Sequence, residues 1–496
     1  GLATDPEQVA ALADRHLGSA EKTLAAIRND KRELAARNNV RTPDVHFDRM
    51  VNGWLKQQCL FGATWCRWGY MGYRDIVQHA FGVSSFAPGR TREILLEALS
   101  RMSAEGTAPR GWNPLDTKPY SDSTVWLVYA LTAYLKETGD FDLLNLRIPY
   151  TDEKDGTVLD HIMAALAFFH NNRGRHGLCL IKFGDWNDSL TNIGREGRGE
   201  SVWLSMAYTR ALEEMAELLT FLENTETAAD CARKAAAMRR AVQQSAWDGA
   251  WFVRCLDDRG SPVGSSQNTE GRIYLNAQSW AVIADIADSA QQDALFSACR
   301  EHLLTEVGYR LLAPPYLTRD DHIGRISYLE PGICENGTIY SHGNAFLFLA
   351  HLMAGRADEA YETLRRLTPG YIPRRNSPKT DVPPYVYANG YYAPEHRNNP
   401  LQAEFTWITG SVAWWYNAIL DFMFGIRREY NGLTVRPTLP SDWTFADITR
   451  TFRGRTFAVS IERTGTHGVQ LNGTSVDGDF IPLSACKTQN ILKVTL

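Results

Sequence analysis

Residues 123–140 read STVWLVYALTAYLKETGD, and this stretch indicates the kind of fold that the chain adopts. From Val125 to Leu135 the only polar interruption is Thr132. The run is shorter than the roughly 18 residues of a membrane span and is typical of a helix buried on all sides. The segment that follows is a helix end, with Gly139 placed for a left-handed cap. The stretch therefore predicts a helix inside a large core.

Segments of similar helical character follow one another with short turns from about residue 42 to residue 425. Alternation of period two is almost absent there. Roughly a dozen helices joined as hairpins predict a mainly α fold, an (α/α)6 toroid with a funnel of loops at one end. The predicted helices are 44–60, 90–104, 123–138, 156–172, 200–223, 226–246, 276–288, 291–305, 342–354, 357–367 and 407–424, and the predicted funnel loops are 106–122, 176–200, 308–342 and 371–405.

Two further segments flank the predicted toroid. Residues 1–41 contain few bulky apolar residues and predict one long polar linker helix, after which Thr42-Pro43-Asp44 marks a new helix start. Residues 430–496 alternate in polarity and contain Asn-Gly and Asp-Gly turns, which predicts a small C-terminal β domain. We therefore divide the chain into a linker helix at 1–41, a toroid at 42–429 and a β appendage at 430–496.

The composition of the 496 residues argues against several classes of protein. Lys and Arg number 52 against 57 Asp and Glu, and the pI of about 6.2 argues against a nucleic-acid partner. No apolar run is long enough for a membrane span. The eight cysteines are scattered without a CxxC pair, which favours reduced thiols and a cytoplasmic location over a metal site or a disulfide framework. The 14 Trp, 20 Tyr and 20 Phe are typical either of sugar-binding platforms or of a large core.

The densest chemical segment is residues 183–188, which read FGDWND. Two carboxylates flank a tryptophan and an amide in a predicted loop, where a sugar ring could stack and form hydrogen bonds. A carboxyl held close to Trp186 in a partly dry pocket would have a raised pKa and could act as a general acid. The alternative is an Asx turn that caps the next helix.

Three other segments carry polar groups suited to binding. Residues 72–75, GYRD, hold an arginine and an aspartate that form either a structural ion pair or part of a site. His342 is predicted to open a helix, where an anion would also meet free backbone N–H groups, although a lone histidine is also compatible with a structural role. Residues 409–411, TGS, repeat that arrangement at a second helix start. Together these segments supply two possible anion cradles.

In their order and residue identities, the motifs resemble those of glycoside hydrolase family 94, which contains the cellobiose, chitobiose, cellodextrin and cellobionic acid phosphorylases. The resemblance covers about residues 5–490 and implies a linker helix, a toroid and a C-terminal β piece. The segments that carry it are GYRD, GDWND, GESVW at 199–203, NAQSW at 276–280, PGICENG at 331–337, HGNAF at 342–346, PYVYAN at 384–389 and WITGS at 407–411.

The resemblance implies inverting phosphorolysis of a β-linked glucosyl disaccharide or short oligosaccharide, which gives α-D-glucose 1-phosphate and a shortened acceptor sugar. It assigns the general acid to Asp188. Inorganic phosphate would be the nucleophile, so a single catalytic carboxyl suffices, and no cofactor or metal is expected. By the same likeness, phosphate would be held by Arg67, His342, Thr409 and Gly410, and the donor sugar by Arg74, Asp75, Trp186 and Asn389.

The sequence departs from the cellobiose enzymes around both sugars. Between Arg67 and Arg74 the stretch is shorter and lacks one donor-site arginine. Cys334 stands where those enzymes place an acceptor-contacting lysine, and Arg325 stands where they have an acid. A carboxylate-bearing acceptor such as gluconate would suit Arg325 through a charge-assisted bond. The alternative is that the loop around Arg325 corresponds to a gap and that its side chain faces solvent.

Two other functions stay open. One is an inverting glycoside hydrolase on the same toroid, in which water attacks and a second carboxylate such as Glu335, which is otherwise a candidate substrate contact, acts as base. The other is a non-catalytic sugar-binding remnant, because family members carry an N-terminal β-sandwich before the linker helix that this sequence lacks. We accordingly expect a homodimer or association with such a segment. Phosphate dependence separates the first alternative from phosphorolysis.

Overall fold

The computed structural model describes residues 5–67, 69–371 and 382–496. Within these residues, no helix is both long and apolar enough to cross a membrane. The α-helices are α1 Pro6–Gly18, α2 Ala20–Ala36, α3 Val45–Arg49, α4 Lys56–Trp65, α5 Tyr73–Val83, α6 Pro88–Leu99, α7 Val125–Thr138, α8 Val158–Asn171, α9 Val202–Phe221, α10 Thr225–Ala246, α11 Leu275–Ile283, α12 Ser289–Leu303, α13 Ser341–Met353, α14 Ala357–Leu367 and α15 Ser411–Ala418.

Short strands lie in the loops between the helices, and the longest strands lie in the C-terminal part of the chain. They are β1 Asn39–Arg41, β2 Met71–Gly72, β3 Gly111–Asn113, β4 Leu115–Asp116, β5 Arg147–Pro149, β6 Asp155–Thr157, β7 Cys179–Leu180, β8 Glu200–Ser201, β9 Cys255–Leu256, β10 Pro262–Val263, β11 Ile273–Tyr274, β12 Leu312–Ala313, β13 Ile339–Tyr340, β14 Ala388–Tyr391, β15 Ala403–Thr406, β16 Ile426–Arg428, β17 Gly432–Val435, β18 Phe445–Phe452, β19 Arg455–Glu462, β20 Gly468–Leu471, β21 Thr474–Ser475, β22 Phe480–Pro482 and β23 Gln489–Thr495. Single turns of π-helix follow α3 and α15, at Met50–Leu55 and Ile419–Met423.

Twelve helices form two concentric rings. The inner ring consists of α5, α7, α9, α11, α13 and α15, and each of these packs against the next. The contact between α15 and α5 closes the ring. The outer ring consists of α4, α6, α8, α10, α12 and α14, each of which packs against an inner neighbour. The structure therefore confirms the expected (α/α)6 toroid.

The axis of the inner ring is filled with aromatic side chains from successive helices. Trp126, Trp203, Trp280, Phe346 and Trp414 come from α7, α9, α11, α13 and α15, and all of them are buried. Their ring centroids lie close together, for example 5.7 Å between Trp203 and Trp280 and 4.9 Å between Phe346 and Trp414. Large aromatic rings supply much apolar area and pack well edge to face, so one residue from each of these five helices fills the axis.

The inner helices begin at the same end of the toroid, because residues at their first turns meet one another. Arg74 in α5 donates to Asp122, which precedes α7, at 3.0 Å. A side chain built at Gly410, the residue before α15, would lie 3.1 Å from the ring of His342 in α13. Unpaired N–H groups and the positive ends of the helix dipoles therefore converge there.

The sequence prediction missed one helix of the inner ring, α5 at Tyr73–Val83. Its residues YRDIVQHAFGV contain several polar side chains, yet nine of the eleven are buried, including Arg74, Gln78 and His79. Its apolar residues Tyr73, Ile76, Val77, Ala80 and Phe81 recur at helical spacing, so the sequence carries the pattern of a helix that the prediction left out.

The prediction of a single linker helix is wrong, because residues 5–36 form two helices, α1 and α2, that are separated at Ser19. The Ser19 hydroxyl donates to the carbonyl of Arg15 at 2.6 Å, and Ser19 has non-helical dihedral angles. Glycine and serine side by side favour such a break, since glycine is a poor helix former and serine competes for backbone groups. Neither helix has a buried residue.

The C-terminal strands form a six-stranded sheet in the order β1-β18-β19-β23-β20-β21 and a three-stranded sheet in the order β16-β17-β22. A buried ion pair joins them to the toroid: Arg450 Nη2 lies 2.5 Å from Glu137 Oε2 at the end of α7. Arg453 donates to the carbonyl of Leu135, which caps the same helix end. Because β1 pairs with β18 and β16 begins before residue 430, pairing crosses both predicted boundaries, and the three-domain division stays a prediction.

Candidate active site

A cavity of about 490 Å³ opens at the end of the toroid where the inner helices begin. Six of the residues singled out from the sequence line it, namely Arg67, Asp188, Arg325, Cys334, Glu335 and Asn389. The other lining residues are Tyr70, Arg110, Ser189, Tyr340, Glu404, Phe405 and Ile408. The cavity thus mixes cations, carboxylates and aromatic rings, a combination suited to a sugar with a charged co-substrate.

The FGDWND loop is held rigidly by its first carboxylate. Asp185 is fully buried, forms an ion pair with Arg254 and accepts a hydrogen bond from Ser201 Oγ at 2.6 Å. Ser201 itself caps the N-terminus of α9 through the backbone N–H of Leu204. The side-chain oxygen of Asn187 accepts from Arg254 Nε at 2.8 Å. Asp185 and Asn187 are therefore committed to holding the loop, which leaves Asp188 as the carboxylate that reaches the cavity.

Asp188 lies between two arginines. Arg74 forms an ion pair with one carboxylate oxygen, and Arg110 Nη2 lies 2.8 Å from the other. Burial favours the neutral acid, but the charges of Arg74, Arg110 and Arg67 outweigh it and lower the pKa of Asp188 below its usual value. The raised pKa expected from the neighbouring tryptophan is therefore wrong for Asp188. The sequence could not show that three guanidinium groups, all distant from it in the chain, surround this carboxyl.

Glu335 fixes the backbone on which Asp188 sits. One of its oxygens accepts from the N–H of Asp188 and the other from the N–H of Ser189, both at 2.9 Å. Burial, followed by the nearby charge of Asp188, raises the pKa of Glu335 to about 7. Because each oxygen already binds a backbone amide, this geometry favours a positioning role for Glu335 over that of a base for water.

Arg67 and Asp75 face each other beside Asp188, with Arg67 Nη1 at 3.8 Å from Asp75 Oδ2. The GYRD pair is therefore not an internal ion pair, since Arg74 points to Asp122 and Asp188 instead. A Cβ atom at Gly72 would lie 2.2 Å from Asp75 Oδ2, so only glycine leaves room for this carboxylate.

The predicted phosphate contacts His342, Thr409 and Gly410 do not line this cavity, although Tyr340 and Ile408 nearby in the chain do. His342 packs edge-on against Trp186 at 5.3 Å, and burial lowers the pKa of His342 to about 3, so its ring is neutral. Among the described residues, nothing hydrogen-bonds its buried Nε2 atom. Thr409 Oγ1 accepts the backbone N–H of Ser411 at 3.2 Å at the start of α15. A neutral ring nitrogen next to a helix N-terminus is ready to meet an anion.

The remaining predicted contacts lie on the walls. Asn389, on β14, hydrogen-bonds through its side chain to Tyr340, whose ring packs edge-on against Trp186 at 5.7 Å. Arg325 is exposed at the cavity mouth, and among the described residues no carboxylate pairs with its guanidinium. The predicted funnel loop 371–405 is described only in part, because residues 372–381 lie outside the described residues.

Sequence reasoning missed Arg110, Tyr120 and Glu404. Arg110 belongs to the predicted funnel loop 106–122, and its guanidinium carbon lies 4.8 Å from the centre of the Tyr120 ring. The Tyr120 hydroxyl donates to the carbonyl of Asp188 at 3.2 Å. No local pattern distinguishes these residues from other polar loop residues, since their function depends on contacts with a segment some 70 residues away in the chain.

Two solved structures illustrate the similarity of the toroid to known folds. The glycoside hydrolase family 78 rhamnosidase of Bacillus sp. GL1 aligns with a TM-score of 0.57 at 14% identity, covering 87% of this chain and 42% of that chain. The family 63 mannosylglycerate hydrolase of Thermus thermophilus aligns with a TM-score of 0.51 at 12% identity, covering 73% of this chain and 99% of that one. At these identities the likeness concerns the fold alone.

The chain belongs to the glycosyl hydrolase 94 superfamily, whose catalytic domain matches residues 31–425. It is 36% identical to solabiose phosphorylase of Paenibacillus borealis over 94% of this chain and 61% of that protein. It is 31% identical to 3-O-β-D-glucopyranosyl-β-D-glucuronide phosphorylase of the same species, over 88% and 60% respectively. It is also 31% identical to cellobionic acid phosphorylase of Neurospora crassa, over 96% and 62%. The chain thus spans about six tenths of the length of these relatives.

The contact between Arg110 and Asp188 leads to a direct prediction. In the Arg110→Gln variant, the pKa of Asp188 should rise, because one of the cations that favour its ionised form is gone. A carbon-13 NMR titration of aspartate-labelled protein measures this value, and Asp188→Asn identifies the resonance. Arg101→Gln, which removes an arginine that pairs with Glu97 on the surface, is the matched control. An unchanged titration in Arg110→Gln would contradict the electrostatic account.

Proposed function

We propose that the protein catalyses the inverting phosphorolysis of a β-linked glucosyl disaccharide or short oligosaccharide. Asp188 donates a proton to the glycosidic oxygen as the bond between that oxygen and the anomeric carbon breaks. An oxygen of inorganic phosphate attacks the anomeric carbon from the opposite face, so the products are α-D-glucose 1-phosphate and the released acceptor sugar. Phosphate is the co-substrate, and the mechanism needs no other cofactor.

The observation that carries this proposal is the cradle formed by His342, Thr409 and Gly410. It combines a buried ring nitrogen that has no partner among the described residues with the N-terminus of α15. A phosphate dianion bound there would gain hydrogen bonds from the ring and the helix amides and attraction from Arg67. Water, which is neutral and small, gains little from such a cradle.

The donor sugar would be held between the cradle and Asp188. Arg74 and Asp75 lie in the first turn of α5 beside the acid, and Trp186 precedes the acid by two residues. Asn389 contributes an amide from the facing strand β14. These groups offer donors and acceptors to sugar hydroxyls around one aromatic ring, which suits a pyranose.

The charges around Asp188 also determine when this residue carries a proton. In the resting site the arginines keep Asp188 ionised, whereas a general acid must carry a proton. A bound phosphate dianion offsets the positive charge of Arg67 and raises the pKa of Asp188. Phosphate therefore acts both as nucleophile and as the charge that prepares the acid.

The rival reaction, hydrolysis with Glu335 as base, is less well supported, because both oxygens of Glu335 bind backbone amides of residues 188 and 189. The acceptor is a separate question. Arg325 offers a guanidinium that pairs with no carboxylate among the described residues, and two relatives are named for substrates with acidic sugars, a glucuronide and cellobionic acid. We propose that the acceptor of this protein also carries a carboxylate.

Replacement of the proposed acid tests the mechanism. Asp188→Asn should lower kcat for an ordinary disaccharide by about a hundredfold or more, since general acids contribute at least that much. A dinitrophenyl β-glucoside, whose leaving group needs no proton, should lose much less. Asp321→Asn, a change at an exposed surface carboxylate, is the control. Near-normal turnover of the disaccharide by Asp188→Asn would remove Asp188 from the role of acid.

Replacement of the proposed cradle tests the nucleophile. His342→Ala should raise the KM for phosphate by roughly tenfold or more, the value of one hydrogen bond to a charged group, and leave the KM for the disaccharide within about twofold. His322→Ala, at an exposed histidine, is the control. Initial rates with varied phosphate measure both constants. Cleavage that proceeds equally well in phosphate-free buffer would make the protein a hydrolase.

The charge of the acceptor is tested in the direction of synthesis. With α-D-glucose 1-phosphate as donor, gluconate or glucuronate should be a better acceptor than glucose, and Arg325→Gln should remove most of that preference. Arg319→Gln, at an exposed arginine in the same loop, is the control. Phosphate release measures the rates. Glucose outperforming both acids by a wide margin would contradict the proposal.

A further inference from the structure

Besides Asp188 and Glu335, a third carboxylate lines the same cavity, and it belongs to none of the sequence motifs. Glu404 lies on β15, opposite Gly390 of β14, and only 6% of its surface is exposed. Among the described residues, its hydrogen-bond partner is the backbone N–H of Cys334, at the long distance of 3.4 Å. No cation among the described residues lies within 4.0 Å of it.

Other buried carboxylates of the described chain are compensated. Asp122, Glu137 and Asp185 each form an ion pair with an arginine, Glu200 pairs with His176, and Glu335 accepts two backbone amides. An uncompensated buried carboxylate is costly, and burial accordingly raises the pKa of Glu404. A carboxylate retained in such a place, facing a cavity, has lone pairs available to a ligand.

The position of Glu404 relative to Asp188 indicates which part of the substrate it meets. Glu335 holds the backbone of Asp188, the neighbouring residue Cys334 donates to Glu404, and the charge of Arg325 acts on Cys334 as well. Glu404 therefore shares the part of the cavity wall around Cys334 with Arg325, the residue that we propose to bind the acceptor. The ring of Phe405, 57% exposed, is its immediate neighbour in the chain and lines the same cavity.

We propose that Glu404 selects the acceptor sugar by accepting hydrogen bonds from two adjacent hydroxyl groups of its ring. A carboxylate matches a pair of neighbouring hydroxyls because its two oxygens accept side by side, and the ring of Phe405 offers an apolar face for the same sugar. Arg325 and Glu404 then recognise different groups of one acceptor, a carboxylate and a hydroxyl pair. This inference rests on the proposed phosphorolysis and adds a specificity-determining residue to it.

The test compares Glu404→Gln and Glu404→Ala with the unchanged protein in the direction of synthesis. Each variant should raise the KM for the acceptor by roughly tenfold or more, because hydrogen bonds to a charged group are lost. The KM for α-D-glucose 1-phosphate should stay within about twofold. Glu330→Gln, at a carboxylate five positions before Glu335 that does not line the cavity, is the matched control.

Deoxy analogues of the acceptor identify the contact itself. In the unchanged protein, removal of a hydroxyl that binds Glu404 should raise the acceptor KM, whereas in Glu404→Gln the same removal should have much less effect. If the effects of the variant and of the deoxy sugar simply multiply, or if Glu404→Gln changes the KM for both substrates equally, Glu404 does not bind the acceptor. Thermal unfolding confirms that each variant is folded.

The test of Glu404 can be separated from the test of the proposed phosphorolysis. If the unchanged protein cleaves sugar without phosphate, the proposed function fails, but calorimetric titration of the acceptor into the protein and into Glu404→Gln still measures the contact. If phosphate-dependent activity is present and the calorimetric affinity for the acceptor is the same in both proteins, the inference about Glu404 alone is overturned.

Discussion

The six inner helices of the toroid begin at one end, and this shared direction determines what the site can be. Each N-terminus carries the partial positive charge of its helix dipole, so this end of the toroid attracts anions. The protein supplies some of them itself: Asp185 accepts a hydrogen bond from Ser201, the cap of α9, and Asp122 lies before α7 against Arg74. At α13 and α15, His342 and Thr409 are the groups to which we assign phosphate in the proposed reaction.

The charges around Asp188 follow from that arrangement. Arg74 and Arg110 hold both of its oxygens, while Glu335 fixes its backbone and carries a pKa raised to about 7. The pKa values of the two carboxyl groups are thus shifted in opposite directions. That of Asp188 is lowered, which favours its ionised form, and that of Glu335 is raised, which favours its neutral form. In the proposed reaction, Asp188 needs a further negative charge nearby before it can hold a proton, and bound phosphate would supply that charge.

The sequence was sufficient for the fold class and for several of the segments that line the cavity. Helix periodicity predicted most of the toroid, and ordered motifs led to Asp188 and to its neighbours in space. It was insufficient where the decisive contacts are distant in the chain. Arg110, for example, reaches Asp188 across 78 positions of the chain. The pKa of Asp188 was predicted in the wrong direction because the sequence shows Trp186 beside it but not the arginines around it.

Glu404 illustrates the same limit. In the sequence it is an ordinary glutamate in a loop, and only the pairing of β14 with β15 brings it into the cavity beside Cys334. Unlike the other buried carboxylates of the described chain, Glu404 has neither a cation partner nor two backbone amides.

The most direct measurement of the central claim is phosphorus and proton NMR of the protein acting on a β-linked glucosyl disaccharide in phosphate buffer. The account predicts that a sugar 1-phosphate of α configuration appears in step with the free acceptor sugar, and that neither forms without phosphate. A β-configured phosphate would contradict inversion. Free glucose from the donor half, formed at the same rate without phosphate, would contradict phosphorolysis altogether.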